Sequence, residues 1–262
     1  MTGIDRIRNS FENRGGIKLM THVVGGYPSP GISERLVAAM ASAGADLVEI
    51  QIPYSDPTAD GPSIMNANAK ARIAGTTTDM VIDMAGRLAS SANIPILLMS
   101  YINPVYRYGI ERFVARTLEL GISGIIVPDY PADDELGLTE KCNRAGTAFV
   151  PLVTGGSTEE RISEVCGASD SPFIYAVMRA GVTGRKTELT DEHIQFLEMA
   201  HRITGKYVAA GFGIRERVQV ETLSRSAHCA VIGSAVTDII EKEYSEGKDP
   251  TEAVARFIRA IR

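Results

Sequence analysis

The chain has 262 residues, 44% of them hydrophobic and 23% charged, with a formal net charge of −5, which describes a water-soluble fold with a core large enough to stand without disulfides and argues against non-specific nucleic-acid binding. Its three cysteines, Cys142, Cys166 and Cys229, form no CxxC pair, so spacing gives neither a disulfide framework nor a zinc site. The first residues, MTGIDRIRNSFENRGG, lack the apolar stretch of a secretory signal, and no apolar run approaches the roughly 20 residues of a membrane span; the expectation is a cytoplasmic protein.

In chain order, a short helix over 4–12 is followed by a β-branched strand over 18–24 and a helix over 33–43. A strand over 46–52 leads into the loop SDPTADGPS at 55–63, then a helix over 79–90. Strands over 94–100 and 123–127 precede helices over 110–120 and 134–145. Strands over 148–152 and 173–177 precede helices over 158–166 and 191–203. The last strands, over 207–210 and 228–232, enclose a helix over 215–223, and a helix over 250–261 closes the series. Strand and helix alternate, with short Gly- or Pro-marked connections, which means βαβ units and a parallel sheet. Eight such strands in a chain near this length favour a closed (β/α)₈ TIM barrel, α/β in class, over an open doubly wound sheet. No linker-like tract divides the chain, so 1–262 reads as one domain.

The strand VEIQI at 48–52 carries Glu49 and Gln51 among apolar residues. Side chains alternate along a strand, so Leu47, Glu49 and Gln51 share one face while Val48, Ile50 and Ile52 share the other. The β-branched face suits the surrounding helices, which turns Glu49 and Gln51 into the barrel near the carboxyl end of strand two, where barrel enzymes place their chemistry. A buried carboxylate without a partner is costly, and no Arg or Lys in the strand interiors offers itself as one. A structural glutamate bonded to hydroxyls remains open. Asp60 and Asp56 each have a turn reading, and Pro62 fits the first turn of a helix. Together, Glu49 and Asp60 could divide a proton-transfer reaction between an acid and a base.

A second constellation follows the sixth, seventh and eighth strands: MRAGVTG at 178–184, AGFGI at 210–214 and VIGSA at 231–235. Glycine loops after strands seven and eight, with the N-terminus of an extra helix, form the usual phosphate site of such barrels, although simple turn chemistry would also use glycine. His22, His193, His201 and His228 lack metal-ligand spacing, and no metal site is expected. Lys18 and Lys206 stand at strand starts, the wrong end for a Schiff base.

These residues resemble the tryptophan synthase alpha chain family. The similarity is carried by VEIQIPYSDPTADGPSIMNAN at 48–68, LLMSYINPVYRYGIERF at 97–113 and GISGIIVPDYP at 121–131, and continues through RAGVTG, AGFGI and VIGSA. It implies a TIM barrel with an extra N-terminal helix and a short extra helix after strand eight. The implied activity is retro-aldol cleavage of indole-3-glycerol phosphate to indole and glyceraldehyde 3-phosphate, without a metal or cofactor in this chain. The implied partner is a beta chain carrying pyridoxal phosphate, in an alpha2–beta2 heterotetramer. By position, Glu49 and Asp60 match the catalytic pair. Gly184, Gly213, Gly233 and Ser234 match the phosphate cradle, while Tyr175, Thr183 and Phe212 match residues lining or closing the site. The loop over 179–189 is expected to close over substrate, and the region 56–58 to meet the partner.

The sequence departs from the family pattern around the substrate's aromatic end. Gln51 stands where glycine is usual, His22 where an aromatic is usual, THVVGGYP at 21–28 differs, and Met178 and Ala180 replace serines. An alpha-like regulatory subunit of weak own activity, and a stand-alone indole-releasing lyase, therefore remain as alternatives.

Overall fold

The computed structural model describes residues 1–13, 15–131, 133–178 and 189–262. Among them the strands are β1 (Lys18–Val24), β2 (Leu47–Gln51), β3 (Ile96–Met99), β4 (Gly124–Ile126), β5 (Ala148–Val150), β6 (Leu152–Thr154), β7 (Phe173–Val177), β8 (Tyr207–Gly211) and β9 (Cys229–Ile232). They pair in parallel in the order β5-β4-β3-β2-β1-β9-β8-β7-β6. The strand expected over 148–152 is two short ones separated by Pro151, which has no N–H to give a ladder. β5 pairs with β4, β6 pairs with β7, and the Pro151 carbonyl accepts the Tyr175 N–H at 2.9 Å. One chain segment thus joins both ends of the sheet, and the ring of strands closes as a TIM barrel.

The helices are α1 (Gly3–Glu12), α2 (Pro30–Ala43), α3 (Pro62–Ile73), α4 (Thr78–Ser91), α5 (Ile102–Tyr108) and α6 (Ile110–Glu119), followed by α7 (Leu138–Ala145), α8 (Glu159–Gly167), α9 (Asp191–Thr204), α10 (Arg217–Leu223), α11 (Ser234–Ser245) and α12 (Thr251–Ile261). α7 begins four residues later than the expected 134, because Asp134 (φ 51°) acts as a cap. Its carboxylate accepts the Thr139 and Glu140 N–H groups at 2.9 and 3.2 Å and the Tyr130 hydroxyl at 2.6 Å. The extra helix after the last strand is α11, twelve residues long.

Two apolar layers follow from the alternation along the strands. Val48, Ile50 and Ile52 of the second strand join the outer core against the helices, with Leu19 and Val23 of β1. Met20, Leu47, Leu97, Met99, Ile126 and Val231 fill the barrel. α1 plugs the amino-terminal end of the strands: its Ile4, Ile7 and Phe11 complete the inner cluster, and Phe11 stacks on Tyr207 at 4.5 Å between ring centroids. A Thr2–Asp5 capping box fixes where this helix starts. At the same end Asp46 accepts the Leu19 N–H at 2.8 Å and pairs with Arg262 at 2.5 Å, tying the last residue to the second strand. Towards the carboxyl ends of the strands the filling changes from apolar to polar, Met20 giving way to His22 on β1 and Leu47 to Glu49 and Gln51 on β2.

Candidate active site

Glu49 is 1% exposed and faces the barrel interior. Its partner is His22: the two are Cα neighbours across the β1–β2 ladder, and His22 Nδ1 lies 3.0 Å from Glu49 Oε1. The expectation that Glu49 has no obvious partner holds for Arg and Lys, but a histidine on the adjoining strand supplies the contact. Burial pushes His22 down. The hydrogen bond and charge of Glu49, with smaller contributions from the Asp60 charge and Gln51, outweigh it, and the net shift is upward. Glu49 Oε2 and His22 Nε2 are both buried and have no hydrogen-bond partner among the described residues.

Asp60 stands in the loop after β2, where a turn closed by its N–H to the Pro57 carbonyl at 3.0 Å sets its position. The fully buried Gln51 reaches it: Gln51 Nε2 donates to Asp60 Oδ2 at 2.6 Å, and Gln51 Oε1 accepts from Asn68 Nδ2 of α3 at 3.2 Å. Asn68 also accepts the Tyr54 N–H at 3.0 Å, so the first turns of α3 brace the loop. Tyr101 completes the brace, its hydroxyl accepting the Ala59 N–H at 3.0 Å and its ring stacking on Tyr54. Burial raises the Asp60 carboxyl above the ordinary range, against the lowering effects of the His22 charge, Gln51 and Tyr101. Burial and the Asp60 charge push the Tyr101 hydroxyl well up.

Tyr175 on β7 lies at the inner cluster, partly buried, and burial with the charges of Glu49 and Asp60 raises its hydroxyl well above the usual value. Gly233 and Ser234 form the start of α11; Gly233 gives no side-chain cap, which leaves first-turn N–H groups and the positive end of the helix available to an anion. A Cβ placed on Gly233 would stand 3.6 Å from His22 Cβ and 3.4 Å from Ile64 Cδ1, so this anion-suited end adjoins the Glu49 pair. Gly213 is exposed after β8 with φ 67°. Asp238, one turn into α11, accepts Ser63 of α3 and Arg215 of the β8 loop, both at 2.5 Å, and fastens the three elements around the mouth.

Phe212 is not brought to the interior. It belongs to the outer core and meets His193 of α9 edge-on at 5.1 Å between centroids, because Ala209 and Gly211 take the inward positions of β8. Thr183 and Gly184, with the loop over 179–188, lie outside the described residues. Lys18 and Lys206 stand at the amino-terminal ends of β1 and β8, away from the mouth. Among the described residues no group of His, Cys, Asp and Glu is arranged to hold a metal ion, and no helix is long and apolar enough to cross a membrane.

Fold and site together define a TIM-barrel protein with a buried carboxylate and a loop carboxylate at the carboxyl mouth, beside a helix start suited to phosphate. The family model for the tryptophan synthase alpha chain matches residues 9–261. The alpha chain of Syntrophotalea carbinolica is 37% identical over 256 residues, covering 98% of each chain, and that of Bacillus cereus strain AH820 is 37% identical over 260 residues, covering 99% of this chain and 98% of the relative. A tryptophan synthase complex from Pyrococcus furiosus contains a chain that superposes with a TM-score of 0.83 at 27% identity, over 93% of this chain and 97% of that one. The chain belongs to the tryptophan synthase alpha chain family, the alpha subunits of an enzyme of tryptophan biosynthesis.

Proposed function

We propose that the chain is a carbon–carbon lyase that cleaves indole-3-glycerol phosphate to indole and glyceraldehyde 3-phosphate. The observation that carries this reading is Glu49, buried inside the barrel with Oε2 unengaged among the described residues, next to the uncapped start of α11. The phosphate would sit on the first turn of α11 at Gly233 and Ser234, with Gly213, and with Gly184 and Thr183 of the loop outside the described residues. Binding there holds the reacting end against Glu49 and uses remote contacts to lower the barrier.

The chemistry needs a proton delivered to the ring carbon that bears the glycerol chain, and a proton removed from the neighbouring hydroxyl. Glu49 does both in turn. As the ring carbon gains its proton, positive charge develops at the ring nitrogen, and the Asp60 carboxylate stabilises that N–H. Each such acid–base contribution is worth about 10²–10⁴-fold. Tyr175 lines the inner wall beside the acids. Neither step calls on a metal or cofactor in this chain. The partner is a pyridoxal-phosphate-bearing beta chain that receives the indole in an alpha2–beta2 assembly in the cytoplasm. The family membership and the complex known from Pyrococcus furiosus support that pairing, and the region 56–58 is the proposed contact.

Indole release from indole-3-glycerol phosphate, measured with the purified chain alone and with a beta chain added, tests this reading. Slow release alone and strong acceleration in the complex is the expected result. Fast release without a partner supports the stand-alone lyase, and no release from folded protein in either state removes the lyase assignment.

A further inference from the structure

Glu49 and Asp60 do not carry equal duties at the mouth. Glu49 must give a proton and then take one through the same carboxyl group, so its orientation and its access to a proton have to survive the loss of its charge balance midway. A carboxylate sealed in the barrel cannot draw on bulk water for either need. Its hydrogen-bonding side chain among the described residues is His22, 2% exposed, with Nδ1 at 3.0 Å from Oε1. The contact uses one pole of each group and leaves Glu49 Oε2 and His22 Nε2 buried and without a hydrogen-bond partner among the described residues.

We propose that His22 is a positioning residue for the lyase reaction, forming with Glu49 a buried dyad that fixes Oε1 and presents Oε2 to the substrate. This inference rests on the lyase reading above. In its working form the dyad holds two protons, one in the Nδ1–H···Oε1 hydrogen bond and one on Oε2; this is the tautomer of the imidazolium–carboxylate pair, with the same proton count, so losing the second proton from His22 removes both forms. The Oε2 proton passes to the ring carbon, whose new C–H bond takes the ring π electrons. The resulting carboxylate, still held by His22 Nδ1–H, accepts the hydroxyl proton on Oε2 as the carbon–carbon bond breaks. The electrons of that bond return to the ring, the aldehyde forms, and the dyad ends with the two protons it began with.

The other groups facing His22 are accounted for. On β2 and its loop these are Glu49 and the charge of Asp60, with neutral Gln51 between them. Gly233 after β9 and Ile64 of α3 adjoin it and carry no charge. On β7 stands the Tyr175 hydroxyl, and on β9, the strand beside β1, the Cys229 thiol in register with Lys18; both are held protonated by burial. Lys18 lies on the same face of β1 beyond Met20, at the far end of the strand. Acidic neighbours therefore dominate at His22, in keeping with its upward shift, and the dyad keeps its second proton to a higher pH than an isolated imidazole would.

The test combines NMR titration of the His22 ring with pH profiles of indole formation. His22 in the full chain is expected to titrate above the ordinary value of about 6.5 and to fall when Glu49→Gln removes the charge. The alkaline limb of kcat should coincide with that midpoint in the wild type and vanish from that pH in His22→Gln. His22→Gln keeps an N–H for Oε1 and should retain most of the plateau rate, whereas His22→Phe, which keeps the ring but loses the donor, should fall by about 10–100-fold. A His22 that titrates at or below the ordinary value and ignores Glu49→Gln overturns the dyad, as does an unchanged kcat profile in His22→Phe. Absence of indole formation by a wild-type chain whose His22 does respond to Glu49→Gln overturns the lyase reading and leaves the hydrogen-bonded pair established.

Discussion

Gln51→Leu isolates what holds the second acid. The leucine is close in volume, but it removes the donor to Asp60 Oδ2 at 2.6 Å and the acceptor for Asn68 Nδ2 at 3.2 Å. Asn68 keeps its bond to the Ile64 carbonyl at 2.9 Å, so the main loss falls on Asp60. A hydrogen bond to a charged group contributes about 1.5–3 kcal/mol, and the stranded carboxylate is the costlier outcome. For a chain of this size each kcal/mol moves Tm by about 2–4 °C, which places the drop at about 3–12 °C. The pH dependence fixes the cause. Burial raises the folded-state value of Asp60 above its unfolded one, so its favourable contribution is present below the unfolded value and lost as pH rises through the folded value. Removing Gln51 strips away one of the influences that hold Asp60 down and deepens the loss on the alkaline side. Thermal unfolding of both proteins at pH 5 and pH 8 should show the larger difference at pH 8. Equal destabilisation at the two pH values, or none, would refute the Gln51–Asp60 reasoning.

Tyr101→Phe removes the hydroxyl that accepts the Ala59 N–H and contacts Asp60; kcat/KM for indole-3-glycerol phosphate should fall about tenfold, from a loss of roughly 1–1.5 kcal/mol in loop placement, and an unchanged value would show that Asp60 needs no brace. Arg262→Ala removes one cation, the Arg262 guanidinium, from Asp46, whose side chain is 4% exposed, at the amino-terminal end of the barrel. Arg262 itself is partly exposed, so the expected cost is about 1–3 kcal/mol by urea denaturation, with indole release at 25 °C unaltered; unaltered stability would show that the last residue is not anchored there.

Much of this molecule is legible in its sequence because buried parallel strands write their facing directly into the residue alternation. Leu47, Glu49 and Gln51 against Val48, Ile50 and Ile52 are sorted between the two core layers as period two requires. α3 is less legible beyond Pro62, since its buried residues are Ala67, Asn68 and Ala71, too small and polar to stand out as an apolar stripe. α5 is hidden by Pro104 and by aromatic residues that favour strands. The His22–Glu49 contact depends on register, which no single strand encodes. Yet Met20 and His22 share the inward face of β1, and two inward polar residues near the carboxyl ends of adjoining parallel strands are bound to meet. Phe212 follows the same rule, one step beyond the inward Gly211 and therefore outward. Its match to the family pattern and its place in the outer core point in different directions, and the alternation was available in the sequence to separate them.

The most direct test of the whole account is single-turnover indole formation by the wild type and Glu49→Gln, each shown to be folded by circular dichroism and thermal unfolding. A rate lower by about 10²–10⁴-fold is expected in the variant, since one oxygen of Glu49 moves both protons and an amide can move neither. Comparable rates from two folded proteins would contradict it, and the proton transfers would then have to be assigned to another group at the barrel mouth.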